Sequence, residues 1–277
     1  MPNNHKKSTS NIAMWYFHSI SLTISIDNSM PYSIEPIGLI QSPYKEKFAV
    51  PRQPRLAPSA TARIKLVGEA NSPESVRGIE QFSHVWLLFL FDQNLAAGWK
   101  PTVRPPRLGG NERIGVFASR ATFRPNGIGM SAVELKGITQ EGNQTWLELG
   151  SVDLVDGTPI IDIKPYIPYS DALPDAIGGF AEKAPDVLSV IFSESAQLSL
   201  AKHCQHKPSE HQQIQTVIEQ VLGQDPRPAY KKNKTDNKEY AVNLFDLNVK
   251  FTVESDLSTP IDTINRNFIR VTTIESF

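Results

Sequence analysis

Between Tyr32 and about Ile167 the apolar positions recur mostly with a period of two. Ala62, Ile64 and Leu66 alternate with Arg63 and Lys65, the spacing of a strand with one buried face. Ile34-Glu35-Pro36-Ile37-Gly38-Leu39-Ile40 is short and apolar and stops at Ser42-Pro43. His84 to Phe91 is apolar at nearly every position, as a strand buried on both faces would be. Ile114 to Ala118, Ala132 to Leu135, Thr145 to Leu149 and Pro159 to Ile163 follow, separated by Gly and Pro turns. Strands at such intervals predict an antiparallel barrel or sandwich. Ser72-Pro73 predicts one short helix among them, Ser as cap and Pro in the first turn, ending near Phe82.

After Lys183 the period changes. Ser193 to His203 predicts a helix. Ser209 caps another, in which Ile214, Val217, Ile218, Val221 and Leu222 mark one apolar face and Gly223 ends it. Ala241 through Val253 reads as a strand, with Phe268 to Ile274 as its partner. The expected fold class is therefore mainly β. Residues 31–183 form a small antiparallel β domain and residues 184–277 a smaller C-terminal α+β domain.

The chain's 277 residues carry 28 Lys and Arg against 29 Asp and Glu, so the net charge of −1 gives no global pull toward nucleic acid or membrane. The charge is uneven locally. Lys45, Lys47, Arg52, Arg55, Arg63 and Lys65 meet only Glu46 in their stretch, and Lys100, Arg104, Arg107, Arg113, Arg120 and Arg124 meet only Glu112 in theirs. A fold that gathers both stretches on one face presents a patch suited to phosphate; otherwise they are solvated surface. The single cysteine, Cys204, excludes an internal disulfide and reads as inert, and with six scattered His no metal framework arises. The longest apolar run, Val85 to Phe91, falls far short of the about 20 residues that cross a bilayer. Residues 1–30 read as a disordered tail or an upstream extension, because His18, Ser19, Ser21 and Ser25 interrupt the apolar stretch and no cleavage site follows. A cytoplasmic protein is expected.

There is no G-x-G-x-x-G after a strand, no G-x-x-x-x-G-K-[ST], no H-E-x-x-H and no G-x-S-x-G, so the common nucleotide, zinc-hydrolase and serine-hydrolase chemistries lose their support. What stands out is a set of rigid loops. SPYKEKFAVPRQP (42–54), RPPRLGG (104–110), RATFRPNGIGM (120–130) and DLVDGTP (153–159) are dense in Pro, Gly and Arg. Proline fixes loop shape, glycine lets a ligand approach the backbone, and such loops on a barrel rim are where binding sites sit.

These loops carry a resemblance. Residues 42–54, 104–135 (RPPRLGGNERIGVFASRATFRPNGIGMSAVEL), 153–168 (DLVDGTPIIDIKPYIP) and 224–230 (QDPRPAY) resemble, in order, the TrmO family, also called TsaA-like or YaeB-like. The likeness spans about Pro31 to Val253. One departure is Gly127, where the family usually has Pro. The resemblance implies a small N-terminal β-barrel that binds S-adenosylmethionine and acts as a homodimer. It implies methylation of N6 of N6-threonylcarbamoyladenosine, next to the anticodon of threonine tRNA. The implied cofactor positions are Pro54, Arg55, Leu56, Asp92, Gln93, Asn94, Arg120, Gly129, Met130, Asp156, Gly157, Thr158 and Pro159.

Methyl transfer from a sulfonium is an in-line displacement in which positioning supplies most of the rate. Asp92 or Asp156 would bind the donor's amino group or ribose, and backbone groups of Leu56, Gly129 and Met130 its adenine edge. Arg120 or Arg124 would pair with the threonyl carboxylate. His84, Asp92 and Tyr44 are the candidate general bases; His84 can equally be a satisfied strand residue, and Tyr44 can stack on a base or simply pack. In the second domain Arg227, Tyr230, Lys231 and Lys232 suit RNA contact, unless an Asp225–Arg227 pair merely braces the turn. The rival to an enzyme is a non-catalytic RNA-binding or adaptor module that keeps the barrel.

Overall fold

The alternation around Ala62 to Leu66 is that of a barrel wall. The computed structural model describes residues 33–232, 234–256 and 267–277, and the tail expected over residues 1–30 lies outside them. In chain order the first strands are β1 (Gly38–Gln41), β2 (Thr61–Leu66), β3 (His84–Leu90), β4 (Thr102–Val103), β5 (Ile114–Gly115), β6 (Ile128–Glu141), β7 (Gln144–Ser151) and β8 (Pro159–Pro165). Six of them close in the order β1-β2-β7-β6-β3-β8, with β8 returning to β1 and every pair antiparallel. Closure leaves no unpaired sheet edge. Ile40, Ile64, Val85, Leu87, Val133, Leu147, Leu149 and Ile160 are buried along these strands. The four-residue helices α1 (Asp92–Leu95) and α2 (Pro168–Asp171) and the β4–β5 ribbon decorate the connections.

The second region holds β9 (Ser189–Phe192), α3 (Glu194–His203), α4 (Pro208–Gly223), β10 (Asp236–Leu244), β11 (Leu247–Ser255) and β12 (Asn267–Ser276). The sheet order is β10-β11-β12-β9, with β9 parallel to β12 and the other pairs antiparallel. Ser193 caps α3, its hydroxyl accepting from the Ala196 amide at 3.1 Å. Ile214, Val217, Ile218, Val221 and Leu222 are the buried side chains of α4 and share one core with Val249, Phe251 and Val271 of the sheet.

Several expectations need correction. Residues 72–82 are not an α-helix: turns lead to a single 3-10 turn at Ile79–Gln81, because Gly78 sits at φ 84° and breaks a stretch already too short to nucleate. The strand expected over Ile114 to Ala118 lasts two residues before a 3-10 turn at Val116–Ala118. β3 is buried on one face only, with Val85, Leu87 and Phe89 inside and the alternate residues half-buried. α4 begins at Pro208, which fits a first helical position, so Ser209 is inside the helix and not its cap. Ala241 to Val253 is a hairpin, closed by Phe245-Asp246 between the paired Leu244 and Leu247. β9 has no counterpart among the expected strands.

The second region buttresses the barrel. Tyr44 bridges to Leu244, Phe245 N donates to Pro43 O at 2.7 Å, and Asn243 N donates to the Glu46 carboxylate at 2.8 Å. Ser59 N donates to Gln220 Oε1 at 2.8 Å, and Gln220 Nε2 returns a bond to Ser59 Oγ at 3.0 Å. The loop from β1 to β2 is thus fixed from both sides.

Candidate active site

β1, β3 and β7 end where β2, β6 and β8 begin. The registers fix this: Gln41 faces Arg63, Thr61 faces Ser151, Leu90 faces Ile128 and Leu39 faces Pro159. Three connections therefore share one rim, residues 42–60, 91–127 and 152–158. Pro54, Arg55 and Leu56 are in the first, Asp92, Gln93, Asn94 and Arg120 in the second, and Asp156, Gly157 and Thr158 in the third. Gly129, Met130 and Pro159 are at the starts of the strands that follow.

The connections are laced to one another. Lys47 Nζ donates to Asn94 Oδ1 at 2.6 Å, and Asn94 Nδ2 donates to Thr122 Oγ1 at 3.1 Å, so the Asn94 amide is a brace. Asp156 accepts from Ser42 N at 2.9 Å and pairs with Lys45 at 2.8 Å. Both its oxygens are engaged, and the turn at Gly157 (φ 80°) is pinned to β1 through Ile40. Asp156 therefore braces the rim, whereas Asp92, the other of the expected pair, is exposed there. Arg55 holds a left-handed φ of 69°, and its amide donates to Ser151 Oγ at 3.2 Å.

The arginines differ. Arg124 clips its own loop, donating to the carbonyls of Ser119 at 3.0 Å and Ala121 at 3.3 Å. Arg120 is exposed and reaches across to the Gln53 side chain. A cavity of about 200 Å³ opens beside Arg124, lined also by Asn94, Leu95, Trp99, Thr122 and Gly127.

Two candidate bases are displaced. His84 starts β3, at the opposite end from Leu90 and the rim, roughly 20 Å away at 3.3 Å per residue. It shares a hydrogen bond with Ser83 Oγ at 2.9 Å and lies near Tyr166, as a satisfied strand residue does. Tyr44 is 0% exposed, so it packs and cannot stack on a nucleobase. Burial, then the charge of Asp153, pushes its phenol well above the ordinary value. Ser151 is near enough to offset a little of that shift, yet the hydroxyl makes no well-formed hydrogen bond among the described residues.

Sequence reasoning overlooks Asp153 and Ser131. Ser131 Oγ donates to Asp153 Oδ1 at 2.7 Å. Burial pushes the Asp153 carboxyl up to about 6, with Ser131, its own backbone and Arg120 holding it back. The available signal is a serine at a barrel-lining position of β6, where the period of two calls for an apolar residue. S-adenosylmethionine presents a cation, ribose hydroxyls and an adenine edge. A half-buried carboxylate, an orphaned buried phenol and the exposed Met130 at one rim fit such a molecule. Among the described residues no group of three or more His, Cys, Asp or Glu is arranged to hold a metal ion, and no helix is long and apolar enough to cross a membrane.

In the second region Arg227 is 0% exposed and paired with Asp225 at 2.8 Å. It braces the turn and offers RNA no surface, which corrects its expected role. Tyr230 is 65% exposed, and Lys231 pairs with Asp236 at 2.8 Å. Burial, then the charges of Arg52 and Arg107, lowers Lys232; burial, then Arg107, lowers Arg52. Arg52 and Arg107, one from each basic stretch, and Lys232 of the second region thus lie within range of one another's charge.

The same loops and the same barrel recur in known proteins. The tRNA-methyltransferase O N-terminal domain model matches residues 39–172 and the TrmO C-terminal domain model residues 185–267. The chain is 52% identical over 223 residues to the tRNA (adenine(37)-N6)-methyltransferase of Escherichia coli K12, across 80% of this chain and 93% of that protein. It is 39% identical over 148 residues, 53% of this chain and 75% of that one, to a Pyrococcus abyssi protein named a probable S-adenosyl-L-methionine-binding protein. A crystal structure of TrmO from Pseudomonas aeruginosa superposes with a TM-score of 0.69 at 40% identity, over 90% of this chain and all of that one. A barrel with three laced connections at one rim, followed by a sheet that props them, is the form in which the chain belongs to the tRNA-methyltransferase O family.

Proposed function

We propose that this chain transfers a methyl group from S-adenosylmethionine to N6 of N6-threonylcarbamoyladenosine, next to the anticodon of threonine tRNA. The observation that carries this reading is the convergence of three connections on one rim, with an exposed guanidinium, Arg120, whose charge is felt by a half-buried carboxylate, Asp153. When bound, the donor supplies an electrophilic methyl group, so the chain's task is placement. Arg120 pairs with the threonyl carboxylate in bidentate geometry and so separates the modified nucleoside from plain adenosine. Arg124, spent on two carbonyls, keeps the loop in shape. Asp92 takes the donor's amino group or ribose, and the backbone at Leu56, Gly129 and Met130 reads its adenine. Tyr230, Lys231 and Lys232 touch the tRNA, residues 31–183 holding the donor and residues 184–277 supporting the RNA.

We place the protein in the cytoplasm as a homodimer. Tyr169, Leu173 and Ile177 are 93%, 73% and 93% exposed, an apolar strip in a short stretch that a second copy would cover. Sedimentation at micromolar concentration tests this, and Leu173→Asp with Ile177→Asp should leave a monomer.

Nucleosides from a strain lacking the gene should lack the methylated form, and complementation should restore it. Threonine tRNA without the threonylcarbamoyl group should not be methylated; full activity on it would overturn the substrate. Donor at 100 times its dissociation constant should add about 2.7 kcal/mol of stability. No shift would favour the non-catalytic RNA-binding module.

A further inference from the structure

Asp153 stands at the centre of this rim but has no chemical step assigned to it above. It lies two residues past the end of β7, and Ser131, on the barrel-lining face of β6 beside Met130, donates to its Oδ1 at 2.7 Å. Ser151 ties the same place to the first connection by accepting the Arg55 amide at 3.2 Å. The buried Tyr44 phenol and the Arg120 guanidinium both feel the Asp153 charge. The other two connections therefore each send a group toward this carboxylate, and β6 sends Ser131. Among the described residues its second oxygen receives no hydrogen bond from another residue. Asp156, three positions on, has both oxygens engaged and works as a brace. A carboxylate held at one oxygen and open at the other suits a different task.

We propose that Asp153 is the general base of the reaction, accepting the N6 proton at Oδ2 while Ser131 orients it through Oδ1. This assignment rests on the methyl transfer proposed above. The nitrogen lone pair forms the new N–C bond. The carbon–sulfur bond breaks and its electron pair stays on sulfur, which loses its positive charge. The N6 proton passes to Asp153 and from there to water. The competing groups are unsuited. His84 is at the far end of β3, burial keeps the Tyr44 phenol protonated, Asp92 is exposed at the rim and given to the donor, and Asp156 is tied to Lys45 and Ser42. A carboxyl pushed up to about 6 is ionised at neutral pH and still a better base than an ordinary one.

The test uses the full chain, threonylcarbamoylated tRNA, saturating donor and single-turnover rates across the acid and neutral range. Asp153→Asn should slow transfer by roughly 10²–10⁴-fold. Calorimetry should find S-adenosylhomocysteine binding to that variant within about threefold of wild type. The wild-type rate should rise with pH through about 6 and then level off, a limb absent from the Asn variant. Ser131→Ala keeps the carboxylate but removes a bond that favours its ionised form, so the limb should move to higher pH. A limb that stays in place would make Ser131 merely structural and overturn its positioning role. An Asn variant that binds the product much more weakly yet turns over normally when saturated would make Asp153 a donor ligand and overturn the proposal. Wild type and Asn variant equally active overturn this assignment alone. A wild type inactive on this tRNA overturns the substrate reading and this assignment with it.

Discussion

Arg227 grips Asp225 with two parallel bonds, Nε to Oδ1 at 2.8 Å and Nη2 to Oδ2 at 2.9 Å, and its remaining nitrogen, Nη1, donates to the carbonyl of Lys234 at 2.9 Å. The pair is buried, and the bond to Lys234 ties it to the segment that follows Tyr230 to Lys232. Removing one partner strands the other charge away from water. Arg227→Ala should therefore cost about 3–5 kcal/mol, read as a fall in the urea midpoint. Arg227→Lys should recover little, since an ammonium cannot reproduce the fork. An unchanged midpoint for the alanine variant would refute the brace.

Arg55 is a side-chain-bearing residue in the left-handed region, at φ 69°. That conformation costs an L-residue about 1–2 kcal/mol, which glycine does not incur. Glycine's greater freedom in the unfolded chain offsets part of the gain. Arg55→Gly should raise stability by about 0.5–1 kcal/mol, or roughly 1–2 °C in melting temperature for a chain of this size. A melting temperature that falls would mean the Arg55 side chain contributes contacts that outweigh the strain.

What the chain discloses in advance follows from where burial imposes a period. The alternation in β2 and the apolar stripe of α4 are legible because one face of each meets the core. The turn at Phe245-Asp246 is not, for neither residue is glycine or asparagine. Phe245 is held at φ 57° within the hairpin and anchored by its bond to Pro43, some 200 residues earlier in the chain. The site divides the same way. Its loops are visible in composition, but nothing local distinguishes Asp153 from Asp156. Their partners do so, Ser131 for one, Ser42 and Lys45 for the other. The polarity of β3, which puts His84 at the wrong end, follows from closure of the barrel and not from the strand itself.

Asp153 should leave a mark on stability as well as on rate. Its carboxyl lies near 3.8 in the unfolded chain and about 6 in the fold, so the folded state binds more protons between those values. Stability from this group is therefore fully present below 3.8 and is lost as pH rises through about 6. The loss amounts to roughly 3 kcal/mol at most. Asp153→Asn removes the burden, so at pH 7.5 the variant should unfold at a higher urea concentration than wild type, with the difference vanishing toward pH 4. A variant less stable than wild type at pH 7.5 would show that the charge is better solvated than its burial implies.

Gly129 ties the rim to the barrel core. A Cβ there would land 2.3 Å from Cε2 and 2.5 Å from Cζ of Phe89. That ring is buried and stands edge-on to Phe91 at 5.3 Å, just ahead of Asp92. It cannot retreat without moving the end of β3 or the start of β6, where Gly129 faces Phe89 in register. Gly129→Ala should cost about 1–3 kcal/mol by overpacking and should weaken donor binding, because Met130 is the next residue. Phe89→Leu alone should also destabilise, by leaving a void. Together the two changes relieve the same contact, so the double variant should be more stable than the sum of the singles predicts, by more than about 0.5 kcal/mol. Strict additivity in the urea midpoints would show that the added methyl is accommodated elsewhere and that Gly129 is not held by the ring.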